Sequence, residues 1–365
     1  MKVLVRADAS QAIGSGHVAR CLSLANALRA QGGEVLFACR ELPGHCLPLI
    51  AAQGFTSCAL PPRYAGEVVG QRIEAALPWE QDIAALQRLL PSAAAFDWVL
   101  VDHYGLDARW EQAAHRWAPR VAAIDDLGNR AHQVELLLDQ NLTASAAAYE
   151  PWLAEPCQTL FGPGFALLRD EFADTQARAV PAKVQRVLVN FGGMDAAGQC
   201  WKAMQALQAF PELQVDFVAG AGNPDWAALQ TLAATRPQWR LYARSEQFGQ
   251  LMAAADLFIG AAGGTTWERA AMGLPTVCMA VAANQQANAE LMAAAGAHVY
   301  LGRCQQVDVA ALATAITALL DDPPRRRQLA ETSRRLVDGH GAQRVATYFS
   351  APAPAAAHCK DTPHA

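Results

Sequence analysis

Short runs of apolar, often β-branched residues alternate along the chain with longer Ala-, Leu- and Gln-rich stretches at helical spacing. In the first half, the short runs predict five strands, at residues 2–6, 34–39, 98–102, 121–125 and 136–139. Helices are expected between them. The clearest, at residues 17–31, is followed by Gly32-Gly33, which is typical of a helix C-cap. Alternating strands and helices of this kind indicate a parallel, doubly wound α/β sheet.

The pattern is interrupted at residues 161–184, where Gly162-Pro163-Gly164 leads into a polar stretch that ends near a proline. It then starts again, with further strands predicted at residues 186–191, 213–219, 240–243, 257–259, 276–279 and 299–300. We therefore predict two Rossmann-like domains that face each other across a cleft. Their predicted bounds are residues 1–165 and 166–338, with residues 339–350 returning to the first domain and residues 351–365 forming a disordered tail.

Composition narrows the classes of protein that fit. With 52% hydrophobic and 17% charged residues, a chain of 365 residues is a globular protein with room for two domains. A net charge of −5 disfavours a nucleic-acid partner, because phosphate binding favours a basic surface. The few phosphates of a nucleotide can instead be held by backbone N–H groups. No apolar run approaches the roughly 18 residues of a spanning helix, so we expect no membrane span.

The cysteines and the N-terminal residues bear on the cellular compartment in which the protein is expected. The nine cysteines are scattered without a Cys-x-x-Cys pair, so neither a zinc site nor a disulfide framework is predicted. The chain begins with a strand pattern and lacks the apolar region of a signal peptide. We therefore expect a cytoplasmic protein with reduced cysteines, no metal ion and no cofactor. The sequence leaves the oligomeric state open, with a monomer as the expectation.

Three glycine-rich turns follow predicted strands, at the strand ends where open α/β sheets bind ligands. The first, Gly14-Ser15-Gly16-His17, follows the first strand and opens a helix. Its glycines allow a ligand to approach closely, and a histidine at a helix start can act as a base near neutral pH. The spacing is not that of a Gly-x-Gly-x-x-Gly nicotinamide site. Taken alone, the turn favours a surface histidine over a catalytic one.

The other two turns lie in the second half. Gly192-Gly193-Met194 either cradles a diphosphate with backbone N–H groups or is a plain structural turn. Gly264-Thr265-Thr266 opens a helix that carries Glu268 near its start. A carboxylate at that position can accept hydrogen bonds from the two hydroxyls of a ribose. Alternatively, Thr265 and Glu268 form a capping box, with Thr265 as the N-cap.

Polar residues at other strand ends are candidates to line the cleft, although each also fits a solvated turn or a helix cap. They are Asp8, Asp102-His103-Tyr104, Asp125-Asp126 and Asp139-Gln140-Asn141. The pair Asn284-Gln285 follows a strand of the second half and supplies amide donors without charge.

Together and in order, these motifs resemble the UDP-2,4-diacetamido-2,4,6-trideoxy-β-L-altropyranose hydrolases of bacterial pseudaminic acid synthesis. The resemblance spans about residues 1–345. The motifs that carry it include Arg6-Ala7-Asp8, Gly14-Ser15-Gly16-His17, Arg20-Cys21-Leu22, Val101-Asp102-His103-Tyr104, Ile124-Asp125-Asp126-Leu127, Leu138-Asp139-Gln140-Asn141, Phe161-Gly162-Pro163, Phe191-Gly192-Gly193, Gly264-Thr265-Thr266-Trp267-Glu268 and Asn284-Gln285. The second half also resembles the bacterial N-acetylglucosaminyltransferase that makes lipid II, which implies a GT-B fold.

The resemblance implies hydrolysis of that UDP-sugar to the free sugar and UDP, without a cofactor. It implies that His17, flanked by Gly14 and Gly16, activates a water for an inverting, metal-independent attack at the anomeric carbon. The substrate-binding residues that it implies are Gly192, Gly193 and Met194 for the diphosphate, with Gly264, Thr265 and Thr266 nearby, Glu268 for the ribose, and Asn284 and Gln285 for the sugar or phosphates. Asp8 is a candidate carboxylate for an oxocarbenium-like centre, and Tyr104 is a further candidate cleft residue.

Other functions remain open on the residues alone. A glycosyltransferase of the same fold would use His17 to activate an acceptor hydroxyl, and a UDP-sugar epimerase would need paired acids in the cleft. A sugar-nucleotide binding module would keep the glycines but has no need of His17. Formation of UDP from a UDP-sugar in the absence of an acceptor separates a hydrolase from all three.

Overall fold

The structure is a computed structural model, and it describes residues 1–62, 77–90, 95–173, 179–192, 195, 197–220, 223–243, 245 and 247–351. Two parallel β-sheets organise these residues, one in each half of the chain. Gly193 and Met194, which the sequence places in a diphosphate loop, lie outside the described residues, as does the predicted tail beyond Ala351. No helix in the described part is both long and apolar enough to cross a membrane.

The first sheet has seven strands in the order β3-β2-β1-β4-β5-β6-β7. They are β1 (Lys2–Ala7), β2 (Glu34–Arg40), β3 (Thr56–Leu60), β4 (Trp98–Asp102), β5 (Arg120–Ile124), β6 (Leu136–Asp139) and β7 (Gln158–Phe161). The order reverses direction at β1, which pairs with β2 on one side and with β4 on the other. In doubly wound sheets, ligands bind in the crevice at such a switch point, beyond the carboxyl ends of the strands.

The second sheet repeats this plan with six strands in the order β10-β9-β8-β11-β12-β13. They are β8 (Arg186–Asn190), β9 (Gln214–Val218), β10 (Trp239–Tyr242), β11 (Leu257–Ala261), β12 (Thr276–Ala280) and β13 (Val299–Arg303). Its switch point lies between β8 and β11, which are paired in parallel. The turns at Gly192 and Gly264 follow these two strands, so the strand order brings both of them to one crevice.

Helices connect the strands. They are α1 (Gly16–Ala30), α2 (Leu47–Ala52), α3 (Trp79–Leu89), α4 (Ala108–Ala114), α5 (Ala146–Tyr149), α6 (Gln199–Leu207), α7 (Trp226–Ala234), α8 (Phe248–Ala254), α9 (Thr265–Ala271), α10 (Ala283–Ala294), α11 (Val309–Leu320), α12 (Pro323–Leu336) and α13 (Gly341–Ser350). As predicted, α1 stops at the glycine pair: Gly32 has a φ of +82°, and its N–H donates to the Arg29 carbonyl at 2.9 Å.

Both faces of each sheet are covered. In β1, Val3 and Val5 pack in one core cluster with residues of α1, whereas Leu4 packs in a second cluster with residues of α3 and α4. In β8, Val187 lies in a cluster with α6 and α11, and Leu188 in a cluster with α8 and α9. Because successive residues of a strand face opposite sides of the sheet, the two clusters of each half cover opposite faces of its sheet. Each half is therefore a doubly wound domain.

The last helix, α13, packs against α1 in the core of the first sheet. Trp98 at the start of β4 donates through its indole N–H to the Phe349 carbonyl at 3.0 Å. The segment between β7 and β8 is the linker between the two sheets. The start of α13 makes close backbone contact with it, because a Cβ at Gly341 would overlap the backbone of Ala166. The bounds of the two predicted domains stay a prediction; near residue 166 the chain contributes to both cores, Leu167 to that of the first sheet and Ala166 and Leu168 to that of the second.

Candidate functional site

The switch point of the first sheet places His17 next to a buried carboxylate. His17 is the second residue of α1, directly after the turn that follows β1, and Asp102 is the last residue of β4, the neighbour of β1. Nδ1 of His17 lies 2.6 Å from Oδ1 of Asp102. The imidazole is only 6% exposed, so the alternative of a surface histidine is wrong. The two residues form a histidine–carboxylate pair.

The charge of Asp102 fixes the tautomer of His17. Burial by itself would raise the pKa of Asp102, but the Arg20 guanidinium, and then His17, lower it well below its usual range. A contact of 2.6 Å to an ionised carboxylate requires a proton on Nδ1. Nε2 is then the basic nitrogen of the neutral ring. This is the arrangement in which a carboxylate orients a general base.

Arg20 connects this pair to a second carboxylate. One helical turn after His17, its Nε and Nη2 donate to the two oxygens of Asp102, each at 2.7 Å. Its Nη1 donates to Asp126, which follows β5, at 2.8 and 2.9 Å. One guanidinium therefore pairs with two carboxylates at this strand end, the buried one of Asp102 and the partly exposed one of Asp126.

Tyr104 and Asn141 complete the cluster around Asp126. The Tyr104 hydroxyl donates to Asp126 at 2.7 Å, and the Tyr104 and His17 rings form a T-shaped pair with their centroids 4.6 Å apart. The Asn141 side-chain amide donates to the same carboxylate at 2.9 Å. The structure therefore brings the candidate residue Tyr104 into contact with His17.

Asp8 lies in a different environment from the one expected of a cleft carboxylate. It is fully buried, and its oxygens are bound by the Arg6 guanidinium at 2.7 and 2.8 Å and by the Arg40 backbone N–H at 2.7 Å. Burial would raise the pKa of Asp8, but Arg6 lowers it well below its usual range. The observed partners give Asp8 a structural role, and its contact with substrate stays an untested prediction.

The glycines of the first turn are conformationally suited to a ligand. Gly14 has a φ of +86°, which disfavours other residues, and it pairs with Ser10 in an isolated bridge. Gly16 is the first residue of α1, and a Cβ at either glycine would meet no atom within 4 Å. Open space therefore borders this turn next to His17.

In the second half, the turns after β8 and β11 have the same character. Gly192 has a φ of +98°, its N–H donates to the Asn190 side chain at 3.2 Å, and a Cβ on it would meet no atom within 4 Å. A Cβ on Gly264 would also point into open space. Thr265 is partly exposed at the start of α9, whereas Thr266 is buried and accepts from the Arg269 guanidinium at 3.0 Å.

The capping-box interpretation of Thr265 and Glu268 is wrong. The N-cap of α9 is Gly264, and no side-chain hydrogen bond caps this helix. Glu268 instead faces Arg169 of the linker, whose Nη2 lies 3.5 Å from Oε1. Burial raises the pKa of Glu268, an effect that the Arg169 charge opposes. The carboxylate is therefore not used to close the helix end.

The side chains of Asn284 and Gln285 lie in different environments. Asn284 is exposed on α10, whereas Gln285 is partly buried and accepts from the Val281 N–H at 3.0 Å. The Gln285 amide nitrogen also lies next to Gly263, where a Cβ would come within 3.0 Å of it. Gln285 is therefore adjacent to the turn after β11. Further along α10, the Asn288 side chain accepts from the Leu142 N–H of the first half at 2.9 Å.

Sequence reasoning did not identify Asp102, Arg20 and Asp126 as members of one site. Asp102 and Asp126 were noted only as polar residues at strand ends. Arg20 lay inside a motif without an assigned role. Its position three residues after His17 on a helix that starts in the cleft is a usable signal, because residues three apart share a helix face.

Comparison with known proteins shows the family and the fold. Residues 189–345 match the glycosyltransferase family 28 C-terminal domain. The chain is 26% identical over 301 residues to the UDP-2,4-diacetamido-2,4,6-trideoxy-β-L-altropyranose hydrolase of Campylobacter jejuni, covering 82% of this chain and 98% of that protein. It is 30% identical over 359 residues to the UDP-N-acetylglucosamine–N-acetylmuramyl-(pentapeptide) pyrophosphoryl-undecaprenol N-acetylglucosamine transferase of Acidithiobacillus ferrooxidans, covering 91% of this chain and 93% of that protein.

Among solved structures, MurG of Acinetobacter baumannii has the same fold, with a TM-score of 0.65 at 16% identity, covering 96% of this chain and 99% of that chain. The two parallel-sheet domains thus define a GT-B protein, and the predicted fold class is confirmed. The chain belongs to the GT-B family of nucleotide-sugar enzymes that carry the glycosyltransferase family 28 C-terminal domain. The resemblance stated from the motifs is confirmed as well.

Proposed function

We propose that the protein hydrolyses a UDP-linked sugar, UDP-2,4-diacetamido-2,4,6-trideoxy-β-L-altropyranose, to the free sugar and UDP. The observation that carries the proposal is the His17–Asp102 pair at the switch point of the first sheet, with Nδ1 and Oδ1 2.6 Å apart. A buried histidine that is oriented by a carboxylate, at a strand end where ligands bind, is suited to act as a general base. The similar protein of Campylobacter jejuni supplies the substrate class.

In this proposal His17 acts on water. Nε2 removes a proton as the water oxygen forms a bond to the anomeric carbon, and the bond from that carbon to the β-phosphate oxygen breaks. The electron pair of the broken bond leaves on UDP, and the sugar is released with inverted configuration. The imidazolium formed during attack is stabilised by Asp102, which already accepts the Nδ1 proton.

The second domain would hold the nucleotide. Backbone N–H groups in the turn at Gly192 and at the start of the helix after Gly264 can stabilise the charge that develops on the diphosphate. Glu268 is proposed to accept hydrogen bonds from the ribose hydroxyls, with Thr265 and Gln285 near the phosphates and sugar. The proposal involves neither a metal nor a cofactor, and it places the reaction in the cytoplasm.

A glycosyltransferase is the second candidate, because the 30% identical relative is named as one. In that reaction the same His17 would remove a proton from an acceptor hydroxyl in place of water. The residues that orient the base would then be unchanged, since Asp102 and Arg20 act on His17 and not on the nucleophile. Only the requirement for an acceptor separates the two functions.

The test is release of UDP from purified protein and the UDP-sugar in buffer alone, followed over time. Wild type is expected to form UDP and free sugar in equal amounts, and His17→Asn and His17→Ala to lose most turnover while still binding UDP. The matched control is His115→Asn, which changes a partly exposed histidine at the C-cap of α4. UDP release that begins only when an acceptor is added would establish the transferase, and wild-type release by His17→Asn would remove His17 as the base.

A further inference from the structure

The Tyr149 hydroxyl contacts two buried carboxylates behind the site. Its oxygen lies 2.9 Å from Oδ2 of Asp125 and 2.9 Å from Oδ2 of Asp139. All three side chains are buried. A hydroxyl has one proton and can donate to only one of the two oxygens. A proton on one of the two carboxyl groups would make the second contact a full hydrogen bond as well.

Asp125 is the ionised member of the pair. Arg130 donates to its Oδ1 at 2.5 Å, the Gly128 N–H donates to its Oδ2 at 2.8 Å, and His132 lies 3.7 Å away. Burial would raise the pKa of Asp125, but His132 and Arg130 lower it well below its usual range. His132 in turn lies 2.7 Å from a carboxylate oxygen of Glu111. Burial would lower the pKa of His132, but Asp125 and Glu111 raise it to about 9. A carboxylate among such cations keeps its charge.

The hydrogen-bonding partners of Asp139 are neutral groups. The Asn141 backbone and side-chain N–H groups donate to its Oδ1 at 2.9 and 2.8 Å, and Tyr149 faces its Oδ2. Asp126 is the nearby charge that acts on it, and that charge is also negative. Burial, and then Asp126, raise the pKa of Asp139 to about 7. A proton that completes the second contact therefore belongs on Oδ2 of Asp139.

We propose that Asp139 is a positioning residue that holds a proton on Oδ2, donates it to Tyr149, and leaves Asp126 as the anion that pairs with Arg20 beside His17. The link is Asn141, whose side-chain nitrogen donates at 2.8 Å to Asp139 and at 2.9 Å to Asp126. Each carboxyl group thus receives one N–H of the same amide. Tyr104 and Arg20 occupy the remaining positions around Asp126.

Loss of the Asp139 proton would disturb both ends of this chain of hydrogen bonds. Tyr149 would then face two carboxylates with one proton, and a second negative charge would lie one amide away from Asp126. Arg20 compensates Asp102 as well as Asp126, so a competing anion weakens the order of the His17–Asp102 pair. The charged and titratable groups that surround the unit are Asp125, Asp126, Arg130, His132, Arg20, Tyr104 and Tyr149.

Infrared difference spectroscopy tests the protonation state without any use of activity. At pH 6, the spectrum of wild type minus Asp139→Asn is expected to contain the carbonyl stretch of a protonated carboxylic acid, which is lost as the pH rises above about 7. The matched control is Asp125→Asn, which alters the other carboxylate on the same hydroxyl and should leave that band in place. A wild-type spectrum without the band, or a band that vanishes only in Asp125→Asn, would overturn the proposal.

Thermal unfolding gives a second readout with opposite signs for the two variants. The raised pKa of Asp139 makes the native state bind a proton that the unfolded chain has lost, so the contribution of Asp139 to stability falls as pH rises through about 7. As the pH rises from about 4 to 7, Asp139→Asn should therefore gain stability relative to wild type, because its amide does not ionise. Asp125→Asn should be less stable than wild type throughout that range, because the lowered pKa of Asp125 makes its contribution fully present above about pH 4. Parallel losses in the two variants contradict the assignment.

The kinetic consequence rests on the proposed hydrolysis. UDP release by wild type is expected to show a decrease in kcat with a midpoint near pH 7 that Asp139→Asn lacks, because the amide cannot ionise. A decrease of the same midpoint in both proteins would show that Asp139 does not position the site. If no UDP forms at all, the proposed function fails while the infrared and unfolding results still decide the protonation of Asp139.

Discussion

The guanidinium of Arg20 binds both carboxylate oxygens of Asp102, each at 2.7 Å, and shares one of them, Oδ1, with Nδ1 of His17. The 3.3 Å separation between Arg20 Nη2 and His17 Nδ1 is a contact between two donors, since Nδ1 carries the proton that Asp102 accepts. Asp102 thereby keeps the imidazole ring oriented. Asp102 stays ionised although it is buried, because the charge of Arg20 lowers its pKa.

Asp102→Asn is expected to lower kcat for UDP release by roughly 10²–10⁴-fold with a small change in KM, because an amide no longer fixes the proton on Nδ1. The residue keeps its size, so the fold should be retained and circular dichroism should be unchanged. Asp308→Asn is the control, since it makes the same exchange at the exposed N-cap of α11, where asparagine also caps well. Near-wild-type turnover by Asp102→Asn would argue that the pair is structural.

Arg20→Gln is expected to destabilise the protein by about 3–5 kcal/mol, because it leaves the buried carboxylate of Asp102 without its cation and also removes the partner of the partly exposed Asp126. Urea unfolding at neutral pH measures this effect, and Arg20→Lys should recover part of it, since a lysine restores the charge but not the two-pronged geometry.

Arg109→Gln is the matched control, because Arg109 pairs with Asp107 at the protein surface and its loss should leave the unfolding midpoint close to that of wild type. Equal midpoints for the Arg20 and Arg109 variants would show that the buried carboxylates are compensated in some other way.

Burial of His103 makes the free energy of unfolding depend on pH below about 6.5. It is buried, its Nδ1 accepts from the Gly105 N–H at 3.0 Å, and burial, with Arg6, lowers its pKa to about 3. In the unfolded chain the value is about 6.5, so between these limits the unfolded state binds more protons. Its contribution to stability is therefore present above pH 6.5 and is lost as pH falls toward 3.

His103→Asn should flatten this decrease in the free energy of unfolding between pH 6.5 and 4, measured by urea titrations at each pH. His132→Asn is the contrasting variant, because the pKa of His132 is raised to about 9 and its contribution is lost on the alkaline side. A steep acid dependence that survives in His103→Asn would assign it to the carboxylates instead.

Much of the fold could be predicted because its signals are local. Strands buried on both faces, such as Trp98–Asp102 and Leu136–Asp139, appear in the sequence as continuous apolar runs with the observed bounds. The strands β3 and β7 were missed, because they lie at the sheet edges, are partly exposed and lack such a run. The glycine turns after β1, β8 and β11 were also evident, since their residues are adjacent in the chain.

The partners of His17 were beyond local reasoning. Asp102 lies 85 residues from His17, and Asp126 lies 106 residues from Arg20, so only the strand order brings them together. That order places β4 beside β1, which the alternation of strands and helices does not determine. The capping-box error at Glu268 has a similar cause: the local spacing fits a cap, whereas the linker residue Arg169, about 100 positions earlier, faces the carboxylate.

Glu268→Gln is expected to weaken UDP binding by roughly 10–100-fold, the effect of losing a charged acceptor for hydrogen bonds worth about 1.5–3 kcal/mol. Calorimetric titration with UDP and with 2′-deoxy-UDP makes the test specific to the ribose. Wild type should bind the deoxynucleotide more weakly than UDP, and the variant should no longer distinguish the two, because the contact is already lost. Glu290→Gln, an exposed exchange on α10, should behave as wild type. A variant that still discriminates against the deoxynucleotide would place the ribose elsewhere, and Glu268 would then serve the Arg169 ion pair alone.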